Sequence, residues 1–251
     1  MRETQSYERS LARSAESRAR ADRPRVFSMR GYEWDLLDEV FAPVHSPSTE
    51  TALDFLGLGP SGPDAPAERL GDFLEIGCGA GVISVLAALA GCDRVVASDI
   101  NPKAVRNTEL NAARHDMTGR MRVVHSDLFD ALDAGERFDT VFWSSNYVLA
   151  PDGYHYGNDH ERAYVDPGYA AHRRFLAEVT GRLTPGGRAL LHFSSRGNLP
   201  LLHGLAEECG RELRQVGSVD VPEGDGPVEH LLLEIREAGR ARHDGHRGHL
   251  T

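Results

Sequence analysis

Short apolar runs alternate with stretches of helical hydrophobic spacing through most of the chain after about residue 69. Strands and helices in regular alternation are typical of a parallel sheet with helices on both faces. Only Pro222 to Gly226 separate the last two apolar runs, so we expect a hairpin whose final strand is antiparallel. The predicted strands are 72–76, 94–98, 121–125, 138–143, 188–194, 213–220 and 229–236, and the predicted helices are 80–90, 102–115, 129–134, 168–182 and 199–209.

The residues before this alternation have a different pattern. Apolar side chains recur at helical spacing in 32–41 and predict a short amphipathic helix, and Ser46-Pro47-Ser48-Thr49-Glu50 is typical of the start of another helix that ends near Leu56. The arginine-rich first thirty residues predict a solvated helix or a cover that orders over a ligand. We therefore divide the chain into an N-terminal helical extension or cover (1–57), a linker (58–68), a catalytic domain (69–237) and a disordered tail (238–251).

The first predicted strand of the catalytic domain runs into three alternating glycines and then directly into an apolar helix. Gly77, Gly79 and Gly81 allow a tight turn and a close approach of the backbone to a ligand, with helix N–H groups directed at it. The next strand ends at Asp99, where a carboxylate beside the glycine loop accepts hydrogen bonds from ribose hydroxyls. Glu75 in the loop would repel a pyrophosphate but suits a ligand that carries an ammonium and a sulfonium group.

These segments resemble three motifs of the class I S-adenosylmethionine-dependent methyltransferases: Glu75 to Gly81, Asp99 to Asn101, and Ser126 to Phe129. The resemblance implies a Rossmann-like three-layer α/β sandwich, with a seven-stranded, mostly parallel sheet and an antiparallel last strand. It also implies S-adenosylmethionine as the cofactor. The residues that the resemblance assigns to cofactor binding are Glu75, Gly77, Cys78, Gly79, Gly81, Asp99, Ile100, Asn101, Ser126, Asp127, Leu128 and Ser144.

The end of the fourth strand is where the family holds its substrate. Within the family, the chain most resembles the protein-glutamine and ribosomal N-methyltransferases. That branch has Asn-Pro-Pro-Tyr at the end of the fourth strand, whereas this chain has Ser144-Ser145-Asn146-Tyr147. The amide-methylating activity of that branch therefore does not carry over. The long loop 151–169 that follows is rich in tyrosine and is expected to border the site, with its histidines exposed. The predicted catalytic residues are Asn146, Tyr147, Ser144, Tyr169 and Ser194.

Composition bounds the partners and the compartment. The formal net charge of -10 argues against a broad nucleic-acid face, so we expect a small-molecule substrate, no nucleic acid and no membrane, with the oligomeric state open. The cysteines Cys78, Cys92 and Cys209 lack metal spacing and cannot all pair, which favours a reducing cytoplasm and no bound metal.

Three functions are compatible with these residues. The leading one is methylation of a small polar or amino-acid-like molecule on nitrogen or oxygen. The second is an enzyme similar to azetidine-2-carboxylate synthases, in which the amine of S-adenosylmethionine attacks its own γ-carbon and expels methylthioadenosine. The third is a non-catalytic protein that binds the cofactor.

Overall fold

The computed structural model describes residues 6–59, 70–224 and 226–239. The N-terminal elements are α1 (Tyr7–Ala19), β1 (Val26–Met29), β2 (Tyr32–Asp35) and α2 (Ser48–Phe55). They are followed by β3 (Phe73–Ile76), α3 (Val82–Leu89), β4 (Val95–Asp99), α4 (Pro102–Arg114), β5 (Met121–His125), β6 (Phe138–Ser144), β7 (Leu149–Ala150), β8 (Asp166–Pro167), α5 (Ala170–Glu178), β9 (Leu183–Ser194), α6 (Leu199–Glu208), β10 (Arg211–Glu223) and β11 (Gly226–Glu237). Short 3-10 helices lie at Pro43–His45, Asp159–Ala163 and Val179–Arg182.

The main sheet has seven strands in the order β10-β11-β9-β6-β3-β4-β5. Its five inner and edge strands from β9 to β5 are parallel, whereas β11 runs antiparallel to both β9 and β10. The predicted Rossmann-like architecture, with its antiparallel last strand, is confirmed. No helix of the described residues is long and apolar enough to span a membrane.

Two apolar cores lie on opposite faces of this sheet, because successive residues of a strand point to opposite sides. Phe73 and Phe142 belong to the core that α3 packs against. Their neighbours Leu74 and Val141 belong to the other core, with Phe175 of α5. Both faces are therefore covered, and the open part of the sheet is the edge formed by the carboxyl ends of its strands.

The predicted helix over 32–41 is wrong. Residues Val26–Met29 and Tyr32–Asp35 pair as an antiparallel hairpin, with Arg30 and Gly31 in left-handed backbone conformations at the turn. Trp34 is fully buried in the α3-side core and donates from Nε1 to the Met29 carbonyl, 3.0 Å away. The spacing of apolar residues suggested a helix, but burying Trp34 against the rest of the fold stabilises a hairpin.

Two other differences concern local structure. The segment 129–134 forms turns instead of the predicted short helix, and β9, β10 and β11 are longer than their apolar runs. The helix predicted from Ser46-Pro47-Ser48-Thr49-Glu50 is present as α2, but it begins at Ser48 with Pro47 as the N-cap residue, and Ser46 lies outside it. The linker 58–68 and the tail 238–251 lie mostly outside the described residues, so the division into domains stays a prediction.

Candidate functional site

The glycine loop between β3 and α3 forms one wall of a cavity. Gly77, Gly79 and Gly81 all have positive φ, at 69°, 56° and 80°. A Cβ added to Gly79 would meet nothing within 4 Å, whereas a Cβ on Gly81 would lie 2.8 Å from Cγ2 of Thr108. Gly79 therefore keeps space for a ligand, and Gly81 allows α4 to approach the loop closely.

The cavity has a volume of about 220 Å³ and lies at the carboxyl ends of β3, β4 and β6. Ligands in open α/β sheets bind at this edge. It collects all but three of the predicted site residues. Those on its wall are Glu75, Gly77, Cys78, Gly79, Asp99, Ile100, Asn101, Ser126, Asp127, Leu128, Ser144, Asn146 and Tyr147.

Asp99 braces the loop around the cavity. Its Oδ2 accepts from the Gly79 N–H at 2.9 Å, and its Oδ1 accepts from the Asn101 N–H at 2.8 Å. Burial raises the pKa of Asp99 above its usual value. Asn101 in turn caps α4 by accepting from the Lys103 N–H, so β4, the glycine loop and α4 are joined at this carboxylate.

Two other acids of the cavity, Asp127 and Glu75, have different surroundings. Asp127 is exposed and forms an ion pair with Arg174, at 2.9 Å between Oδ2 and Nη1. Glu75 is buried, accepts a hydrogen bond from the Ser84 hydroxyl, and has its pKa raised to about 8 by desolvation. Glu75 is therefore mostly protonated at neutral pH, and a cationic ligand beside it would favour its ionised form.

Asn146 lines the cavity and has an unsatisfied hydrogen-bond acceptor. Its Nδ2 donates to the backbone carbonyls of Arg162 and Val165, at 2.9 and 2.8 Å, which fixes the orientation of the amide. Its Oδ1 is buried and has no hydrogen-bond partner among the described residues. Tyr147 lies next to it, and burial raises the pKa of the Tyr147 hydroxyl.

Three predicted site residues lie off the cavity wall. Gly81 packs against α4, as described above. Tyr169 is fully buried, donates from its hydroxyl to the Tyr147 carbonyl at 2.6 Å, and accepts from the Asn198 N–H at 2.8 Å. Ser194 is also buried and accepts from the Arg196 N–H at 3.2 Å. Tyr169 thus positions the backbone of Tyr147 and is not at the cavity surface.

The loop after β6 borders the cavity as expected, and the cover adds residues that were not among the predicted site residues. Arg13 of α1 and Phe41 line the cavity, and so do Tyr156, His160 and Tyr164 of the loop after β6. The Ser14 hydroxyl of α1 bonds Nδ1 of His160 at 2.7 Å, and burial lowers the pKa of His160 to about 4. His160 is therefore not the exposed residue that the sequence suggested. The only signal for these contacts was the density of Arg and Tyr in the two segments.

Comparisons with known proteins agree with this geometry. The family model for ribosomal protein L11 methyltransferase (PrmA) matches residues 52–146, which end at Asn146. A release factor glutamine methyltransferase of Bordetella pertussis is 32% identical over 169 residues, 62% of this chain and 57% of the relative. A ribosomal protein L11 methyltransferase of Alkaliphilus metalliredigens is 36% identical over 58 residues, 23% of this chain and 18% of the relative. The chain thus spans less than two thirds of these relatives.

Solved structures share the fold at low identity. A 16S rRNA N2 G1207 methyltransferase of T. thermophilus, solved with AdoMet and guanosine, aligns with a TM-score of 0.56 at 21% identity, covering 85% of this chain and 50% of that one. An M. jannaschii tRNA m1G37 methyltransferase aligns at 0.55 and 14% identity, covering 86% and 57%. Together with the motifs, these findings confirm the predicted resemblance to the class I S-adenosylmethionine-dependent methyltransferases and the predicted cofactor.

The donor set of the cavity suits this cofactor. Asp99 supplies carboxylate oxygens for a ribose, Glu75 supplies a buried carboxyl for a cationic amino-acid moiety, and the space over Gly79 admits the ligand chain. The part of the chain that the structure describes contains no group of three or more His, Cys, Asp or Glu residues placed to hold a metal.

The prediction of a small-molecule substrate, with no nucleic acid, is wrong in the light of these relatives. Their names specify a ribosomal protein, a release factor, rRNA or tRNA as the molecule that each one methylates. Net charge is a property of the whole surface, whereas a few residues around the methyl group select the acceptor. The charge of -10 was therefore a poor guide to the acceptor.

Proposed function

We propose that this protein transfers the methyl group of S-adenosylmethionine to a nitrogen atom of a protein side chain. The observation that carries the proposal is Asn146, which lines the cofactor cavity and whose buried Oδ1 has no hydrogen-bond partner among the described residues. An amide oxygen there accepts an N–H bond and leaves the nitrogen lone pair free to point elsewhere. A nitrogen nucleophile is therefore a better fit to Asn146 than an acceptor without a hydrogen to donate.

The bound cofactor supplies a methyl group that is already activated on a sulfonium, so the chain has to orient the nucleophile and exclude water. Asp99 and the glycine loop hold the cofactor side of the cavity. Asn146 orients the nucleophile, and its own amide is held in place by the carbonyls of Arg162 and Val165. Tyr169 supports the Tyr147 backbone from behind. Orientation of this kind is the main source of rate enhancement here.

A protein acceptor is favoured over RNA by the relatives that share sequence with this chain. The release factor and L11 methyltransferases are named for protein acceptors. We therefore expect the acceptor nitrogen to belong to a protein, with the altered Ser-Ser-Asn-Tyr segment selecting a different side chain from the one that Asn-Pro-Pro-Tyr enzymes hold.

The cover must open for such an acceptor. Ser14 of α1 bonds His160 of the loop after β6, and Arg13 lines the cavity, so α1 lies over one side of the site. The inner face of α1 buries mainly serines, Ser10, Ser14 and Ser17, and its partly buried apolar residues are Tyr7 and Leu11. Because this contact between α1 and the rest of the site is mostly polar, α1 can separate from the site at low free-energy cost.

The test is transfer of tritium from methyl-labelled S-adenosylmethionine to a ribosomal-protein fraction and, separately, to ribosomal and transfer RNA. Labelled protein supports the proposal, and label in RNA alone overturns the protein assignment. Asn146→Ala should lower the turnover about a hundredfold while the affinity for S-adenosylhomocysteine stays within twofold. Asn158→Ala is the matched control, since Asn158 lies in the same loop region and off the cavity. Intact turnover with weakened cofactor binding would place Asn146 on the cofactor side.

A second candidate is cyclisation of S-adenosylmethionine to azetidine-2-carboxylate and methylthioadenosine. One observation favours it, namely that the cover closes the site. The bond between Ser14 and His160 closes α1 over the cavity, and this reaction needs no second substrate to pass the cover. The relatives give it no support. Methylthioadenosine released from S-adenosylmethionine without any acceptor would establish it, and its absence would remove it.

A further inference from the structure

A line of buried hydrogen bonds leads from the cavity into the sheet. Ser144 Oγ lies 3.0 Å from Nδ1 of His192, and Nε2 of His192 lies 2.8 Å from Nδ1 of His230. Nε2 of His230 lies 2.7 Å from Oε1 of Glu223, whose other oxygen is paired with Arg196. Both imidazoles are completely buried, and only Ser144 reaches the cavity wall. Neither histidine was singled out by the sequence, because each occupies an ordinary position in an apolar strand.

Glu223, the last residue of the series, determines the direction of these hydrogen bonds. Burial favours protonation of Glu223, but its bonds to His230 and Arg196 outweigh this effect and lower its pKa. A carboxylate only accepts, so Nε2 of His230 donates to it. When His230 is neutral, its Nδ1 accepts from Nε2 of His192, and Nδ1 of His192 then accepts from the Ser144 hydroxyl. Ser144 is left with lone pairs that face the cavity.

The opposite direction follows when His230 carries a second proton. Nδ1 of His230 then donates to Nε2 of His192, whose proton moves to Nδ1 and is donated to Ser144 Oγ. One added proton on His230 thus reverses every bond between His230 and the cavity. A chain with two such states can conduct a proton along its length.

We propose that Ser144, His192, His230 and Glu223 form a relay that removes the proton from the nitrogen that becomes methylated, an inference that rests on the proposed function. Ser144 is the catalytic residue of the relay, because it contacts the substrate. The two histidines and Glu223 act through it. The relay follows the logic of a serine, histidine and carboxylate triad, with a second histidine inserted.

Methyl transfer to the nitrogen and removal of its proton together leave no unpaired charge in the site. The nitrogen forms a bond to the methyl carbon as the bond between carbon and sulfur breaks, and the electron pair of that bond stays on sulfur. The N–H proton passes to Ser144 Oγ, the hydroxyl proton passes to Nδ1 of His192, and the Nε2 proton of His192 passes to Nδ1 of His230. The products are a methylated nitrogen, a neutral thioether and an imidazolium at His230 that is paired with the Glu223 carboxylate.

The groups around His230 place a carboxylate beside its ring. Glu223 of β10 contacts it directly, and the neutral ring of His192 contacts it from β9, where burial and His230 lower the pKa of His192 to about 3. The Tyr147 ring lies edge-on to His230, with 6.4 Å between the ring centroids. Arg196 and, at longer range, Arg13 of α1 act on Glu223. The imidazolium formed at His230 is therefore in contact with a carboxylate.

The test is long-range proton–nitrogen NMR of the histidine rings in the whole protein, with S-adenosylhomocysteine bound. At pH 8 both rings should carry their proton on Nε2. In any sample in which His230 is doubly protonated, His192 should carry its proton on Nδ1. A tautomer of His192 that does not follow His230, or a proton on Nδ1 of His192 at pH 8, would overturn the relay.

Two variants add a matched comparison. Glu223→Gln removes the carboxylate that obliges Nε2 of His230 to donate, so the Nε2 tautomer of His192 should no longer be the sole form at pH 8. Glu234→Gln removes a carboxylate from the same strand as His230, where Glu234 pairs with Arg188 and Arg236, and should leave the tautomer of His192 unchanged. An equal change in both variants would reduce the effect to general charge.

Absence of the relay and absence of protein methylation would give different experimental results. Protein methylation without a coupled tautomer change would leave the function standing and remove the relay. When a protein acceptor has been labelled, the turnover of Glu223→Gln should fall ten- to a hundredfold with S-adenosylhomocysteine affinity unchanged, and its acid limb should move to lower pH. A uniform loss with an unshifted pH profile would indicate a structural role only.

Discussion

Replacing Glu75 with glutamine should stabilise the protein near neutral pH. Glu75 is 2% exposed, and desolvation raises its pKa from 4.5 to about 8. A carboxyl whose pKa is raised on folding binds a proton more tightly in the folded state, so stability falls as the pH rises from about 4.5 to about 8. With about 1.36 kcal/mol per pH unit, the loss reaches about 3 kcal/mol at pH 7. Glutamine is neutral, can accept from Ser84, and avoids this loss.

The assay is urea unfolding of the ligand-free protein at pH 4.5 and pH 7. The free energies of unfolding of the wild type and Glu75→Gln should be similar at pH 4.5 and differ by about 3 kcal/mol in favour of the variant at pH 7. Glu136→Gln is a control of opposite sign, because Arg122 and Arg94 outweigh burial and lower the pKa of Glu136. A Glu75→Gln variant that is no more stable than the wild type at pH 7 would refute the reasoning.

Three further outcomes are expected. Asp99→Ala should weaken the binding of S-adenosylhomocysteine by about 1.5–3 kcal/mol in calorimetry, the scale of lost hydrogen bonds to a charged group, and equal binding would remove Asp99 from the site. Gly79→Val should abolish binding, since its side chain would project into the open space of the cavity from a left-handed backbone, and residual micromolar affinity would show that this space is not used. Amide exchange of residues 7–30 should slow when S-adenosylhomocysteine binds, and unchanged exchange would mean that α1 does not respond to the ligand.

The cavity wall formed by the glycine loop and Asp99 could be predicted because its signals in the sequence are local. The alternation of Gly77, Gly79 and Gly81 reflects the backbone conformations that one loop requires, and Asp99 is placed by the end of a single strand. These constraints act over a few residues, so they appear directly in the sequence. The antiparallel last strand was likewise evident from the short segment between two apolar runs.

The cover and the histidine pair depend on contacts between distant parts of the chain. Ser14 and His160 are 146 positions apart, and His192 and His230 are 38 apart. Nothing in the local pattern of either segment identifies the other partner. Trp34 shows the same effect for the fold, since its burial against the core decided between a helix and a hairpin that local spacing could not separate. Tyr169, predicted at the surface of the site, was instead placed behind it by two hydrogen bonds to backbone.

The central claim is that the chain uses the cavity beside the glycine loop to transfer a methyl group to a protein nitrogen. The most direct measurement is mass spectrometry of both products after incubation with S-adenosylmethionine and a ribosomal-protein fraction. We predict one S-adenosylhomocysteine for each gain of about 14 Da on a protein, a mass that digestion assigns to a side-chain nitrogen, with both products absent from Gly79→Val. Methylthioadenosine in place of S-adenosylhomocysteine, or S-adenosylhomocysteine without a modified protein, would contradict the claim.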